Sequence, residues 1–236
     1  LPIDLETSRQ RLAETLEIGE LDLLIDGGLN FQGIYDLADI LTRCAKRGVV
    51  SGEELLKVAD TLLAARRLRR QIDNSQVRPV ISALFVDLVT LPDLEKILRF
   101  GLEEGGRVAD QASQKLRELR LKWQKMRSER RTILQDLIRR NISIIQDTAI
   151  GDRNGRPVLA LKVGTIDLIQ GVVHSTSASG NTVFLEPHLI IGLGNRIAAI
   201  ESDICKEEHR LLADWSADVA VHSSSIEHLG QVMLKL

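Results

Sequence analysis

Seven positions constrain this chain more than any others. Leu116, Leu119, Trp123, Met126, Arg130, Ile133 and Leu137 recur at alternating spacings of three and four residues. That is the a/d seam of a heptad repeat, with one polar interruption at Arg130. It predicts a helix of about 30 residues within 107–141, roughly 45 Å long. Such a helix is too long for an ordinary globular element and reads as an arm. A second apolar stripe, Leu193, Ile197, Ile200, Ile204, Leu211 and Trp215, continued by Ile226, Leu229 and Met233, predicts helix over 188–236. Two arms running in opposite directions are the simplest way to bury both stripes.

Between the stripes the period changes. Val158–Val163, Gly171–His174 and Thr182–Glu186 read as three strands. Gly151, Asn154-Gly155, Gly164 and Gly180-Asn181 supply turns. The arms therefore carry a small β-rich module over 142–187. Ahead of them, 1–106 reads as a bundle of short helices. Leu5, Leu12, Leu16 and Ile18 space helically, Asp26-Gly27-Gly28 breaks the pattern, and Ile34, Leu37, Ile40 and Leu41 resume it until Gly48. Ser51 with Glu54 forms a capping box. Leu55 to Ile72 follow as a strong helix ending in the cations Arg66, Arg67, Arg69 and Arg70, which suit a helix C-terminus. Asn74 and Pro79 mark a loop. Pro92 opens a helix through Phe100, and Gly101, Gly105 and Gly106 form a joint. The predicted fold class is mainly α: a helical bundle core (1–106), an outgoing arm (107–141), a β-rich module (142–187) and a returning arm (188–236).

Composition narrows the class. With 236 residues, 44% hydrophobic, the chain can bury a core without disulfides or metals. Cys44 and Cys205 lie far apart and in no ligand spacing, which reads as two reduced thiols in a cytoplasmic protein. No apolar run is long enough to span a membrane. The start, Leu1-Pro2-Ile3-Asp4, has no signal-peptide character. It also lacks Met, so the chain is expected to begin inside a longer protein, as its end at Leu234-Lys235-Leu236 also suggests.

Charge is unevenly placed. The chain carries −2, but 107–141 holds 11 Lys and Arg against 4 Asp and Glu, a local +7. Residues 187–236 hold 4 against 7, a local −3. On charge alone, a basic helix lying against a mildly acidic one is the preferred account. Contact with a nucleic-acid backbone is the alternative.

Several chemistries find no support. No Lys precedes Ser or Thr, so there is no phosphate-binding loop of the Gly-Lys-Ser/Thr type. In His174-Ser175-Thr176-Ser177-Ala178-Ser179-Gly180 no Ser has Gly two residues before and after it, so a turn between strands explains the segment better than a nucleophile elbow. Asp214, Asp218 and His222 share a helix face, but three ligands on one helix do not close a metal site, and no metal is expected. Trp123 and Trp215 lie on the apolar stripes and read as core. Aromatics at 3% argue against base stacking as a general recognition mode.

Two segments resemble a known family. Ser51–Arg70 is one. The more specific is His174, Ser177, Ala178, Ser179, Gly180, Thr182, Phe184, Glu186 and Pro187 in the run Gly171–Pro187. Together they resemble the MutS family in its second bacterial branch, whose members suppress recombination and associate with ribosomes. The resemblance covers essentially the whole chain. It implies a core, lever and clamp order, with the clamp gripping DNA, branched or duplex, or ribosomal RNA, and with homodimer formation by the full-length protein. It implies ATP and Mg²⁺ in an ATPase domain beyond this sequence, and a nuclease domain that often follows. No catalytic residue is carried over. On this reading Arg139, Arg140, Arg153, Arg156 and Lys162 are the expected backbone contacts. His174, Ser177, Ser179, Gly180, Glu186 and Pro187 are expected to build the clamp turn. The competing class is a structural or dimerising coiled-coil arm with no nucleic-acid binding of its own. An independent enzymatic activity ranks last.

Overall fold

The computed structural model describes residues 4–72, 77–86 and 88–234. Asn74, the first three residues and the final Lys235-Leu236 lie outside the described residues. The chain divides into two compact units, 1–112 with 208–236, and 113–207.

The first unit is helical. Helix α1 (Leu5–Leu24) starts at Asp4, whose carboxylate accepts the Thr7 N–H at 2.7 Å. After it come α2 (Ala38–Ala45) and α3 (Gly52–Ile72). The capping box at α3 forms in both directions. Ser51 Oγ accepts the Glu54 N–H at 3.3 Å, and Glu54 Oε2 accepts the Ser51 N–H at 2.9 Å. Leu55, Val58, Ala59, Leu62, Ala65 and Leu68 form the buried face of α3. Helix α5 (Pro92–Gly101) packs on it, and buried Glu95 takes a two-pronged pair with Arg66, both bonds 2.9 Å. Arg69 donates to the Leu88 carbonyl at 2.6 Å. The cationic end of α3 is thus partly a tertiary clamp. Trp215 is buried so tightly against Gly101 that a Cβ there would lie 2.3 Å from the indole.

The second unit, 113–207, contains α6 (Gln114–Arg140), strands β1 (Ile145–Arg153), β2 (Arg156–Lys162), β3 (Gly171–Thr176) and β4 (Thr182–Pro187), and the start of α7 (His188–Val221). The sheet is antiparallel throughout, in the order β1-β2-β4-β3. Strand β2 is buried from Pro157 to Leu161, the run expected of a strand covered on both faces. The β1–β2 turn is Asn154-Gly155, both at positive φ (55° and 77°), the geometry a two-residue hairpin demands. Leu134 and Ile138 of α6 and Ile190 of α7 join Leu159, Leu161 and Leu185 in one core. Further along the same pair of helices, Met126 packs with Leu193, Ile197 and Ile200, supported by Leu119, Trp123 and Ile133. Ser113 and Lys115 bond Glu207, and Trp123 bonds Glu201, so α6 and α7 run antiparallel here. The heptad seam is therefore covered within the chain.

The fold class is mainly α with a small antiparallel sheet, as the sequence predicts. Details differ. The outgoing helix begins at Gln114, not 107, because Ser113 caps it by accepting the Leu116 N–H at 3.0 Å. Residues 104–106 and 110–112 form single 3₁₀ turns instead. Ile34 and Leu37 precede α2 and lie outside it. Pro79 does not simply mark a loop: it opens α4 (Pro79–Phe85), whose first amides of Val80 and Ile81 are accepted by the Glu17 carboxylate at 3.2 and 2.8 Å. The sheet has a fourth strand, β1. It is an edge strand, buried at Ile145 and largely exposed afterwards, so it lacks the alternation that reveals strands. The returning segment is two helices, because the chain breaks at His222 before α8 (Ser223–Met233). Among the described residues, no helix is long and apolar enough to cross a membrane.

Candidate nucleic-acid interface

The motif residues converge on one carboxylate inside the 113–207 unit. Glu186, at the end of β4, is 4% exposed. His174 Nε2 of β3 lies 2.9 Å from its Oε2, and Arg156 Nη1 of β2 donates to Oε1 at 3.4 Å. Arg156 also donates to Asn195 Oδ1 of α7 at 3.0 Å. One carboxylate thus ties three strands of the sheet, and Arg156 ties the sheet to α7. A buried carboxylate is held only where donors surround it, which is why His, Arg and Glu occur together in this pattern. Pro187 then ends the strand, and α7 begins at the next residue.

The Ser-rich run is the β3–β4 turn. Ser177 Oγ accepts the Thr182 N–H at 3.1 Å, the Ser177 N–H donates to the Thr182 carbonyl at 2.8 Å, and the Gly180 N–H donates to the Ser177 carbonyl at 2.9 Å. Gly180 has φ of 73°, which suits glycine. Ser179 Oγ lies 3.3 Å from Ser177 Oγ. His174 bonds Glu186 and no serine, so the turn holds no nucleophile and base pair in hydrogen-bond contact.

The five predicted cations do not form one patch. Arg139 and Arg140 end α6, and Lys162 lies close by, its Nζ donating to the Ser143 carbonyl at 2.8 Å. Arg153 and Arg156 face each other across the β1–β2 turn, at the other end of the hairpin. Eight residues of β1 separate the two ends, roughly 25 Å of strand. Arg139 pairs with Asp136 on its own helix, and Arg140 is exposed with no partner among the described residues. Arg153 lies over the Phe184 ring, 3.8 Å from its centroid, and donates to Ser175 Oγ at 3.3 Å. Arg153 and Arg156 are thus built into the sheet, whereas Arg139 and Arg140 are available at its far end.

Three cations outside the predicted set stand near the hairpin turn, all on α6. Arg127 lies over the Trp123 ring at 4.5 Å. Arg130 is half-buried. Burial first, and the neighbouring Arg127 second, pull its pKa below the usual guanidinium value, against the weaker opposing pull of Glu201, Asp152 and Glu186. Arg131 is exposed beside it. The signal that marks them in the sequence is the +7 of residues 107–141 together with the polar break in the seam at Arg130. Among the described residues, no three His, Cys, Asp or Glu side chains come together as a metal site. Asp214 is instead bound by Arg210 at 2.6 Å.

No family model matches the chain. Curated relatives do. Endonuclease MutS2 of Synechocystis sp. is 36% identical over 235 residues, covering 100% of this chain and 29% of the relative. Endonuclease MutS2 of Pelotomaculum thermopropionicum is 31% identical over 239 residues, covering 98% and 30%. That of Symbiobacterium thermophilum is 32% identical over 221 residues, covering 92% and 28%. Matched almost throughout its length, and spanning about three tenths of these relatives, the chain belongs to the MutS2 type of the MutS family.

Proposed function

We propose that residues 113–207 are the nucleic-acid-gripping module of a MutS2-type protein, holding branched or duplex DNA by its phosphates. The observation that carries this is the charge of the unit. It holds 15 Lys and Arg against 10 Asp and Glu, a net +5 in a chain of −2. Contact with a polyanion is the use such a surplus serves best. Arg139 and Arg140, with Lys162 beside them, make the sequence-independent contacts, which position the protein and let it select by shape. Glu186 holds β2, β3 and β4 in register from the Arg156 end of the sheet, opposite these cations. The downstream consequence we assign is suppression of homologous recombination, with ribosomal RNA of a stalled ribosome as the competing ligand.

The coiled-coil alternative loses ground to one observation: the seam that would dimerise is already filled by Leu193, Ile197 and Ile200 of the same chain. We therefore propose that homodimer formation belongs to the full-length protein, outside this seam. We assign neither ATP hydrolysis nor strand cleavage to these residues. No Lys precedes Ser or Thr, no acidic or His cluster stands ready for Mg²⁺ among the described residues, and Ser177 is committed to its turn. ATP and Mg²⁺ belong to the part of the protein beyond this chain. The test is binding of the chain to a labelled four-way DNA junction, with duplex and structured RNA as competitors. Preference for the junction supports recombination intermediates as the ligand. Preference for RNA moves the reading to the ribosome, and binding to none refutes it.

A further inference from the structure

Beside α6, on the side of β1, lies a groove of about 740 Å³. Gln124, Ser128, Arg131 and Gln135 form one row along the helix, at i, i+4, i+7 and i+11. Arg127 and Arg130 stand in the row beside it. Ile150 and Pro157 contribute apolar lining from the sheet. No carboxylate lines the groove. Its donors are also uncommitted. Arg130 and Arg131, and the Gln124 and Gln135 amides, have no hydrogen-bond or ion-pair partner among the described residues, and Arg127 touches only the Trp123 ring. Elsewhere in the unit Lys115, Arg153, Arg156 and Lys162 are bound to protein acceptors, whereas Arg139, in an exposed pair with Asp136 of its own helix, and Arg140 remain open at the far end.

We infer that this groove binds the phosphodiester backbone of an unpaired nucleic-acid strand. The inference rests on the nucleic-acid reading above and adds a subsite to it. The half-buried Arg130 guanidinium stands beside Arg127, and the carboxylates of Glu201, Asp152 and Glu186 act on it only from a distance, none of them in ion-pair contact; a ligand anion in direct contact would favour such a group. Three guanidiniums within two helical turns call for more than one negative charge, as a run of phosphates provides and a single carboxylate does not. The Trp123 ring backs the Arg127 guanidinium and leaves its other face to stack on a base. A concave groove with amide donors and an apolar side fits a strand whose bases are splayed out.

The test uses the whole chain and a short labelled oligothymidylate. The double variant Arg130→Gln, Arg131→Gln is expected to weaken oligothymidylate binding by about 30-fold at low salt. Its salt slope is expected to fall by about 1.4, two single-strand contacts. Junction binding through Arg139 and Arg140 is expected to stay within about three-fold. Arg130→Gln alone is expected to keep or raise the thermal midpoint, because it removes a half-buried charge that stands beside Arg127 and makes no ion-pair contact; a lowered midpoint makes Arg130 structural and overturns the inference. Unchanged oligothymidylate affinity in the double variant overturns it too. So does inorganic phosphate competing as well as the oligomer does, which would assign the groove to a free anion. A parent chain that binds the junction but not the oligomer refutes the groove alone. A parent that binds neither refutes the groove and the proposed function together.

Discussion

Changing Glu186 to Gln should loosen the sheet unit without altering its shape. The side chain is 4% exposed, and its two oxygens meet His174 at 2.9 Å and Arg156 at 3.4 Å. Each charge-assisted bond contributes about 1.5–3 kcal/mol when well made. The Arg156 bond is long and that side chain is 39% exposed, so its contribution falls at the bottom of the range or below. Arg156 also keeps Asn195 as a partner in the variant. The net expected cost is about 2–3 kcal/mol. At a urea slope of about 2 kcal/mol/M this lowers the midpoint by about 1–1.5 M. Trp123 lies in the 113–207 unit and Trp215 in the other. In a Trp215→Phe background, Trp123 emission therefore reports the right unfolding event. A double-mutant cycle with His174→Ala should return a coupling of about 1–2 kcal/mol. A midpoint moved by less than about 0.3 M, or a coupling near zero, would refute the claim that this carboxylate holds the strands.

Two further outcomes follow. The Glu54 carboxyl is held down to about 2, first by the Arg43 guanidinium and then by the Ser51 amide. Its stabilisation is complete above its ordinary value near 4.5 and is lost as pH falls toward 2. Glu54→Gln should cost about 1–2 kcal/mol at neutral pH and abolish that part of the acid dependence of the helical unit, read by Trp215 emission. In the seam, Ile197→Ala should cost about 2–4 kcal/mol in urea while leaving the sedimentation coefficient unchanged, since the seam is filled within the chain. A change in association state would return the dimerising-arm reading.

How much of this the residues reveal beforehand depends on the range of the interactions. The seam from Leu116 to Leu137, the Ser51 capping box and the Val158–Leu161 run follow local periodicity, and all are found in the structure. Helix α4 is hidden because its amides are capped by Glu17, more than 60 residues earlier in the chain. Strand β1 is hidden because an edge strand that is mostly exposed needs no apolar alternation. The cations show the same division. Their surplus is visible as +7 over 107–141, but which of them are available depends on acceptors far away in sequence. Arg156 finds Glu186 and Asn195, Lys162 finds Ser143, and Arg130 finds none. At Arg130 the break in the heptad marks a groove as well as a gap in the seam.

Residues 113–207 are proposed to hold nucleic acid by its phosphates. The most direct test of this proposal is the salt dependence of junction binding by the parent chain and by Arg139→Gln, Arg140→Gln. Log affinity is expected to fall linearly with log salt, with a slope shallower by about 1.8 in the variant, two duplex phosphate contacts. No junction binding at low salt by the folded parent, or the same slope in parent and variant, would contradict it.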